Sequence, residues 1–303
     1  MSSHRMEFTY NTGWFRLANT VSRLFPRRLL RPLAALWGLL FAWSHPKKAA
    51  LLQRNLDLLG ATPRPNPTRT YMEFARVMVD YFYAGAHPLP QAIGLVEERL
   101  GIEHLRAVHA SGRGALLLTP HFSFFELGGL IMRDLGYPMT ALTLPEPSPE
   151  FTAWRAAYRR RWGVETLVVS ADPFQFIEIK KQIEAGQFVA ALFDRPHPTQ
   201  SFAAQLPGGA LPCSSGILLL ALLAKCPVIP VTVVAKPNGR YRLEAHPPII
   251  VERRGSSAET LRHYTQVLAD ALLPTLSRHP EQWFQFASLE AVSPAAPTDE
   301  ATP

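Results

Sequence analysis

The feature that most constrains this chain is an alternation that begins at residue 115. Short apolar runs, Ala115 to Leu118, Pro138 to Leu144, Val164 to Val169, Phe188 to Phe193 and Val228 to Ala235, are separated by helix-like stretches. Those stretches, Glu150 to Trp162, Pro173 to Ala185 and Ile217 to Ala224, carry no strand pattern. Strand and helix in this order predict an α/β fold: a mixed, largely parallel sheet flanked by helices. In such a sheet ligands gather beyond the carboxyl ends of the strands. The residues to weigh first are therefore those that follow each run.

After the first run comes Thr119-Pro120-His121. Proline cannot continue a hydrogen-bond ladder, so His121 is expected to emerge at a strand end. Ser123 to Leu135 has no internal proline and carries apolar residues at helical spacing, which predicts a helix with Ser123 as its cap and Glu126 in its first turn. A carboxylate so placed is near enough to turn back toward the imidazole, where it fixes the tautomer and steadies the imidazolium formed when the base takes a proton. The plainer reading is a helix-start histidine beside a surface acid.

Three later places carry candidate binding groups. Tyr158-Arg159-Arg160-Arg161-Trp162-Gly163 presents three consecutive arginines at 100° intervals, so at most two share a face. They are either a solvated helix end that suits the dipole, or a place where Arg159 or Arg161 neutralises a substrate phosphate. Asp194 and Arg195 directly follow the run ending at Phe193; they form either a strand-end turn with its own ion pair or part of a pocket mouth. Leu206 to Gly216 contains Gly209 and Gly216, where backbone can approach a substrate closely, and a helix beginning near Ser214 can offer amides to an anion or oxyanion. Pro230, inside an apolar run, predicts an edge or strand-start position.

The amino-terminal part reads differently. Arg23, Arg27, Arg28 and Arg31 precede or flank the apolar run Pro32 to Trp43, and Lys47, Lys48 and Arg54 follow. A helix of that length rises only about 18 Å against a hydrocarbon core of about 30 Å, which excludes a span. The late basic region and the lack of a small-residue cleavage site argue against a signal peptide. The stretch is either an amphipathic anchor, with tryptophans at the interface and arginines on anionic lipid, or a helix packed on the main sheet.

Composition bears on that choice. The chain is 47% hydrophobic and 18% charged, with net charge +7 from 31 basic and 24 acidic residues. A basic, apolar chain suits an anionic partner such as a membrane surface or an acidic carrier, and no nucleic-acid motif is present. Cys213 and Cys226 make no disulfide framework and no metal-ligand spacing, which points to a reduced compartment, and the candidate site residues require no metal or nucleotide cofactor. Three segments are expected: 1–60, a basic and apolar membrane-associating helical part; 61–290, the α/β domain; and 291–303, an Ala/Pro/Thr-rich disordered tail.

The sequence His121-Phe-Ser-Phe-Phe-Glu126 resembles the H-x-x-x-x-D/E signature of glycerolipid and lysophospholipid acyltransferases. It is most similar to the H-F-G-N-W-E of the bacterial late lipid A acyltransferases, with three inner positions changed. Other stretches follow the same family: Asn55-Leu56, the R-x-R-F-G-like arginines at 159 to 161, Asp194 in a D-Q-x-P-like element, Gly209 and Gly216, Val228-Ile229-Pro230-Val231, and Pro280-Glu281-Gln282-Trp283. The family's basic H-R-R segment is replaced by Phe284-Gln285-Phe286-Ala287.

The resemblance implies a glycerolipid-acyltransferase-like fold on the cytoplasmic face of a bacterial inner membrane, peripheral or monotopic, with an N-terminal apolar helical anchor. The donor would be an acyl carrier protein or acyl-CoA thioester, the acceptor a lipid hydroxyl or amine, with no covalent acyl-enzyme. It makes His121 and Glu126 catalytic and puts Arg159, Arg161, Asp194, Arg195, Gly209 and Gly216 on the substrate side. Two alternatives stand beside it: a non-catalytic lipid-binding relative, and a lipase or thioesterase using Ser214 or Ser215, which lacks the G-x-S-x-G elbow.

Overall fold

The computed structural model describes residues 12–146, 148–170, 173–195 and 201–289. The tail at 291–303 lies outside them, as do residues 1–11.

The described residues begin with three helices: α1 (Thr12–Leu24), α2 (Arg27–Ser44) and α3 (Pro46–Asp57). Then come α4 (Pro67–Ala86), α5 (Leu89–Ile93), β1 (Val96–Leu100) and α6 (Ile102–Ala110). The alternating part follows as β2 (Leu116–Thr119), α7 (Leu127–Asp134), β3 (Met139–Thr143), α8 (Pro149–Arg160), β4 (Val164–Val168), α9 (Pro173–Glu184) and β5 (Phe188–Leu192). A hairpin of β6 (Ser201–Leu206) and β7 (Gly209–Ser214) precedes α10 (Gly216–Ala224), β8 (Pro227–Ala235), β9 (Tyr241–Ala245), β10 (Ile249–Ile250) and α11 (Ser257–Arg278). A 3-10 turn, Pro280–Gln282, leads into the last described residues.

The main sheet runs β1-β9-β8-β2-β5-β3-β4, with β10 beside β8. Its pairs are parallel except where β9 and β10 meet β8. This is the mixed, largely parallel sheet the alternation predicts. β2 lies inside it because both its faces are apolar: Leu116 and Leu118 enter one core and Ala115 and Leu117 the other. A strand covered by helices on both faces reads as a continuous apolar run.

Pro230 sits elsewhere than expected. It pairs with Leu118 in the sheet interior, between β2 and β9. Its carbonyl accepts a hydrogen bond from His246 N, so its own nitrogen faces the same side, opposite the break at His246-Pro247-Pro248 between β9 and β10. No ladder donor is needed at that break, and the missing N–H of proline costs nothing there.

The glycine-rich stretch at 206 to 216 also differs from its reading as a substrate-approaching loop. Most of it is the β6–β7 hairpin, clipped to α11 by Gln266, which donates to Gln205 O (3.0 Å) and accepts from Gln205 N (2.7 Å). At its turn a Cβ on Gly208 would lie 1.9 Å from Asp57 O, so only glycine lets the hairpin close on the end of α3. The boundary expected near residue 60 does not interrupt the core: Leu52, Leu56 and Leu59 pack in the same cluster as Leu116 and Leu118.

α2 packs along α4 through Ala35, Gly38 and Ala42. A Cβ at Gly38 would meet Tyr71 O at 2.6 Å, so this close crossing requires glycine. One end is fixed by charge, where the fully buried Asp80 of α4 takes Arg27, Arg31 and the Tyr241 hydroxyl. The opposite face of α2 carries Leu29, Leu33, Leu36, Leu40 and Trp43 at alternating steps of four and three, each 49% to 70% exposed. Among the described residues no helix is long and apolar enough to cross a membrane.

Candidate active site

β2 ends at Thr119, and the next residues do not enter a helix at once. His121 O accepts from Phe284 N (2.7 Å), Ser123 N donates to Gln282 O (2.7 Å), and Phe122 bridges Trp283, so 121–123 and 282–284 form a short ladder. Ser123 then takes a left-handed backbone, φ 48°, and the helix begins only at Leu127. The expected cap is absent: Ser123 Oγ is buried without a hydrogen-bond partner, and Glu126 stands at the N-cap position without its side chain capping.

The imidazole of His121 is held by Asp194. Nδ1 lies 2.6 Å from Asp194 Oδ1, and the backbone N of His121 donates to Asp194 Oδ2 (2.9 Å). Trp283 Nε1 donates to the same Oδ2 (2.8 Å), and Gln285 Nε2 donates to the carbonyl of Asp194 (2.5 Å). Asp194 is fully buried. Burial pushes its carboxyl up, but the charge and hydrogen bond of His121, with the hydrogen bonds from Trp283 and the His121 backbone, outweigh it and hold the group below the ordinary range. An ionised carboxylate at Nδ1 keeps the proton there and leaves the lone pair on Nε2. The His121 side chain is 16% exposed, so it is not sealed from solvent, and Phe125 meets its ring edge-on at 6.1 Å.

Glu126 faces elsewhere. Its Oε1 accepts from Arg155 Nη2 (2.5 Å) and Arg159 Nη2 (2.7 Å), and Arg155 Nη1 reaches on to Glu146 Oε1 (2.7 Å). Burial pushes the Glu126 carboxyl up; the two guanidiniums outweigh it and hold it low. Oε2 is buried with no partner. Among the described residues no hydrogen bond joins Glu126 to the imidazole, so the partner expected from the five-residue spacing differs from the one found. A five-residue spacing turns the acid back to the imidazole only where residues 123 to 126 are helical, and the left-handed turn at Ser123 breaks that geometry.

The other candidates divide. Arg159 is 7% exposed and occupied by Glu126. Arg161, the residue after α8, lies on the surface, its carbonyl accepting from Arg133 Nη1 (3.4 Å). Arg195 is exposed beside Asp194, with Nε donating to Gln285 Oε1 (3.3 Å). Gly209 lies at the hairpin turn, where its added Cβ would meet Leu58 at 3.0 Å, and Gly216 opens α10. Ser214 N donates to Phe193 O (2.9 Å), which brings the start of α10 next to Asp194. Neither Ser214 nor Ser215 hydrogen-bonds the imidazole, so the serine-hydrolase arrangement is not formed among the described residues.

Arg155, Trp283 and Gln285 are the residues the sequence reading missed. Arg155 stands four residues before Arg159, on the same helix face, which is a signal for a shared partner. Trp283 and Gln285 adjoin and follow the Pro-Glu-Gln motif, and Asn55 ties that segment to α3 by donating to Gln285 O (2.7 Å) and Ala287 O (2.8 Å). Among the described residues no group of three His, Cys, Asp or Glu is placed to hold a metal ion, and both cysteines are free and buried.

Such a site can accept a proton at Nε2 and stabilise the resulting imidazolium through Asp194. The chain is 25% identical over 157 residues to a lipid A biosynthesis acyltransferase of Haemophilus influenzae, a stretch covering 50% of this chain and 47% of that relative, so it spans about half the relative's length. The family model for bacterial lipid A biosynthesis acyltransferases matches residues 2–289, a range that takes in His121, Glu126, Asp194 and Trp283 together. The chain belongs to the bacterial lipid A biosynthesis acyltransferase family.

Proposed function

We propose that this protein transfers a fatty acyl chain from an acyl carrier protein or acyl-CoA thioester to a hydroxyl or amine of a lipid A precursor-like acceptor. It works at the cytoplasmic face of a bacterial inner membrane, held there peripherally. His121 Nε2 takes the proton of the acceptor hydroxyl as its oxygen attacks the thioester carbonyl carbon. The tetrahedral intermediate then collapses, the C–S bond breaks, and the imidazolium returns its proton to the departing thiolate. Asp194 holds Nδ1–H and stabilises the imidazolium, with Trp283 and Gln285 as positioning residues behind it. Glu126 belongs to the same assembly as a positioning residue that acts through Arg155 and Arg159. We assign the anionic substrate groups and the developing oxyanion to Arg195 and the amides at Gly216, because Arg195 adjoins Asp194 and the start of α10 is tied to Phe193 O.

The observation that carries this reading is the 2.6 Å contact between His121 Nδ1 and a buried Asp194 that itself receives two further N–H donors. An apolar rim supports a greasy substrate: Leu144 follows β3 and Phe174 opens α9 after β4, both at the carboxyl end of the sheet and both exposed. The leucine and tryptophan stripe of α2 supports a membrane surface as partner. The test is lipid mass spectrometry of cells with and without the gene, with a labelled acyl-transfer assay on His121→Ala. Unchanged lipids, and no acyl donor consumed in the presence of total lipid extract, favour a non-catalytic lipid-binding relative and remove the proposal.

A further inference from the structure

An open cavity of about 220 Å³ lies between α1, α2 and α4, lined by Val21 and Ser22 of α1, Leu30 and Leu33 of α2, and Val79 and Phe82 of α4. Ser22 is its one polar lining residue. It is 3% exposed, and its Oγ has no hydrogen-bond partner, although Thr20 on the same helix satisfies its own hydroxyl on Arg16 O (3.0 Å). Leu33 belongs at once to the cavity wall and to the exposed stripe of α2, so the cavity opens on the face that carries Leu29, Leu36 and Leu40.

Charge narrows the occupant. Residues 12 to 44 contain no acidic side chain, and Arg16, Arg23 and Arg28 flank this region in addition to the two arginines engaged by Asp80. A single apolar slot with one hydroxyl donor and a cationic border matches an acyl chain, its ester carbonyl and an anionic headgroup in that order. The volume fits as well: an apolar cavity of about 150 Å³ takes one benzene, so this one holds roughly half as much again, a chain segment of about nine carbons.

We propose that the crevice between α1, α2 and α4 is a lipid-chain site that takes the first part of one acyl chain of an anionic glycerophospholipid of the bilayer, with Ser22 Oγ donating to the ester carbonyl. This site rests on the membrane-surface part of the proposed function and adds to it a bound lipid that is neither donor nor acceptor. Seated there, the lipid fixes the depth and rotation of α1 and α2 on the bilayer.

The test uses the full chain with vesicles of mixed phosphatidylglycerol and phosphatidylcholine, read by flotation and by native mass spectrometry of the lipid retained. Wild type is expected to float and to retain one phosphatidylglycerol per chain. Ala34→Phe, at a position of α2 that lines the crevice, is expected to cut retention about tenfold while flotation changes less than about twofold; Ala18→Leu, at a lining position of α1, serves if a melt shows the first variant unfolded. With diether phosphatidylglycerol, which lacks the carbonyl, retention by wild type is expected to fall about three- to tenfold, the range of one neutral hydrogen bond, and Ser22→Ala is expected to erase that preference. Wild type that floats but retains no lipid, crevice-filled variants that retain as much as wild type, or retention of free fatty acid in place of phospholipid would overturn the site and leave the membrane reading standing. Failure of wild type to float would remove the membrane reading itself, and the site with it.

Discussion

The substitution Asp194→Asn tests the imidazole's partner with almost no change in shape. Oδ2 of Asp194 accepts two N–H donors, from His121 N at 2.9 Å and Trp283 Nε1 at 2.8 Å. An asparagine there must point its oxygen at those donors, because its NH₂ would face two hydrogens. Its NH₂ is thereby turned to His121 Nδ1, the atom 2.6 Å from the carboxylate in the wild type. A donor at Nδ1 demands the lone pair on that nitrogen and moves the ring proton to Nε2, where on the proposed mechanism it blocks proton uptake from the acceptor. The loss adds a wrong tautomer to a missing charge, and the same change in a serine-protease triad costs about 10,000-fold. We therefore expect kcat for acyl transfer to fall about 1,000- to 10,000-fold, or about 4 to 5.5 kcal/mol of activation free energy. The assay is transfer of labelled acyl chain, with a thermal melt to confirm the fold and imidazole nitrogen NMR to read the tautomer. Activity within about tenfold of wild type would refute the argument, as would a proton that stays on Nδ1. Collapse of activity in Glu126→Gln with Asp194→Asn spared would instead give the imidazole to Glu126.

Other changes follow from the same contacts. Ser123→Gly is expected to stabilise the fold by about 1 kcal/mol, because a left-handed L-residue costs about 1 to 2 kcal/mol, partly offset by the entropy of glycine; a lower melting temperature would contradict it. Asp80→Ala leaves Arg27 and Arg31 without their buried counter-charge and is expected to destabilise by about 3 to 5 kcal/mol, with proteolysis appearing first between α1 and α2; an unchanged urea midpoint would count against this. Glu126 is held low in the fold, so its stabilising share is complete above the unfolded value near pH 4.3 and is lost as pH falls through the lower folded value. The melting-temperature gap between wild type and Glu126→Gln should therefore narrow as pH drops from about 5 to about 3; a constant gap would show that the arginine pairing does not hold the proton off.

The alternating strands and helices were legible because a two-face buried sheet leaves continuous apolar runs, and the runs ending at Leu118 and Phe193 fall within a residue of β2 and β5. The partner of His121 was not legible from spacing along the chain, because it depends on which strands are neighbours. Thr119 pairs with Leu192 in the β2–β5 ladder. Two residues beyond each stand His121 and Asp194, so knowledge of that one pairing gives the contact. The hairpin at 201–214 had a visible signal, since Ala204 and Leu206 on one arm and Leu211 and Cys213 on the other alternate inward about a Pro-Gly-Gly turn. Small and polar residues between them weakened it. Pro230 was misplaced because the rule for proline counts strands, whereas its missing donor faces a gap between two of them.

The two carboxylates of the site are kept ionised by unlike means, and that separates their tasks. Asp194 receives an imidazole and two N–H groups, so its charge is available to whatever charge His121 takes up. Glu126 and Glu146 face Arg155 and Arg159, two anions against two cations, and that group is balanced without the histidine. A carboxylate already neutralised by two permanent guanidiniums has little field left for an imidazolium, whereas Asp194 has His121 itself as its charge partner and only neutral N–H donors besides. On the proposed mechanism the acid of the five-residue signature therefore acts through α8, by fixing Arg155 and Arg159, and the proton chemistry belongs to the pair that β2 and β5 bring together.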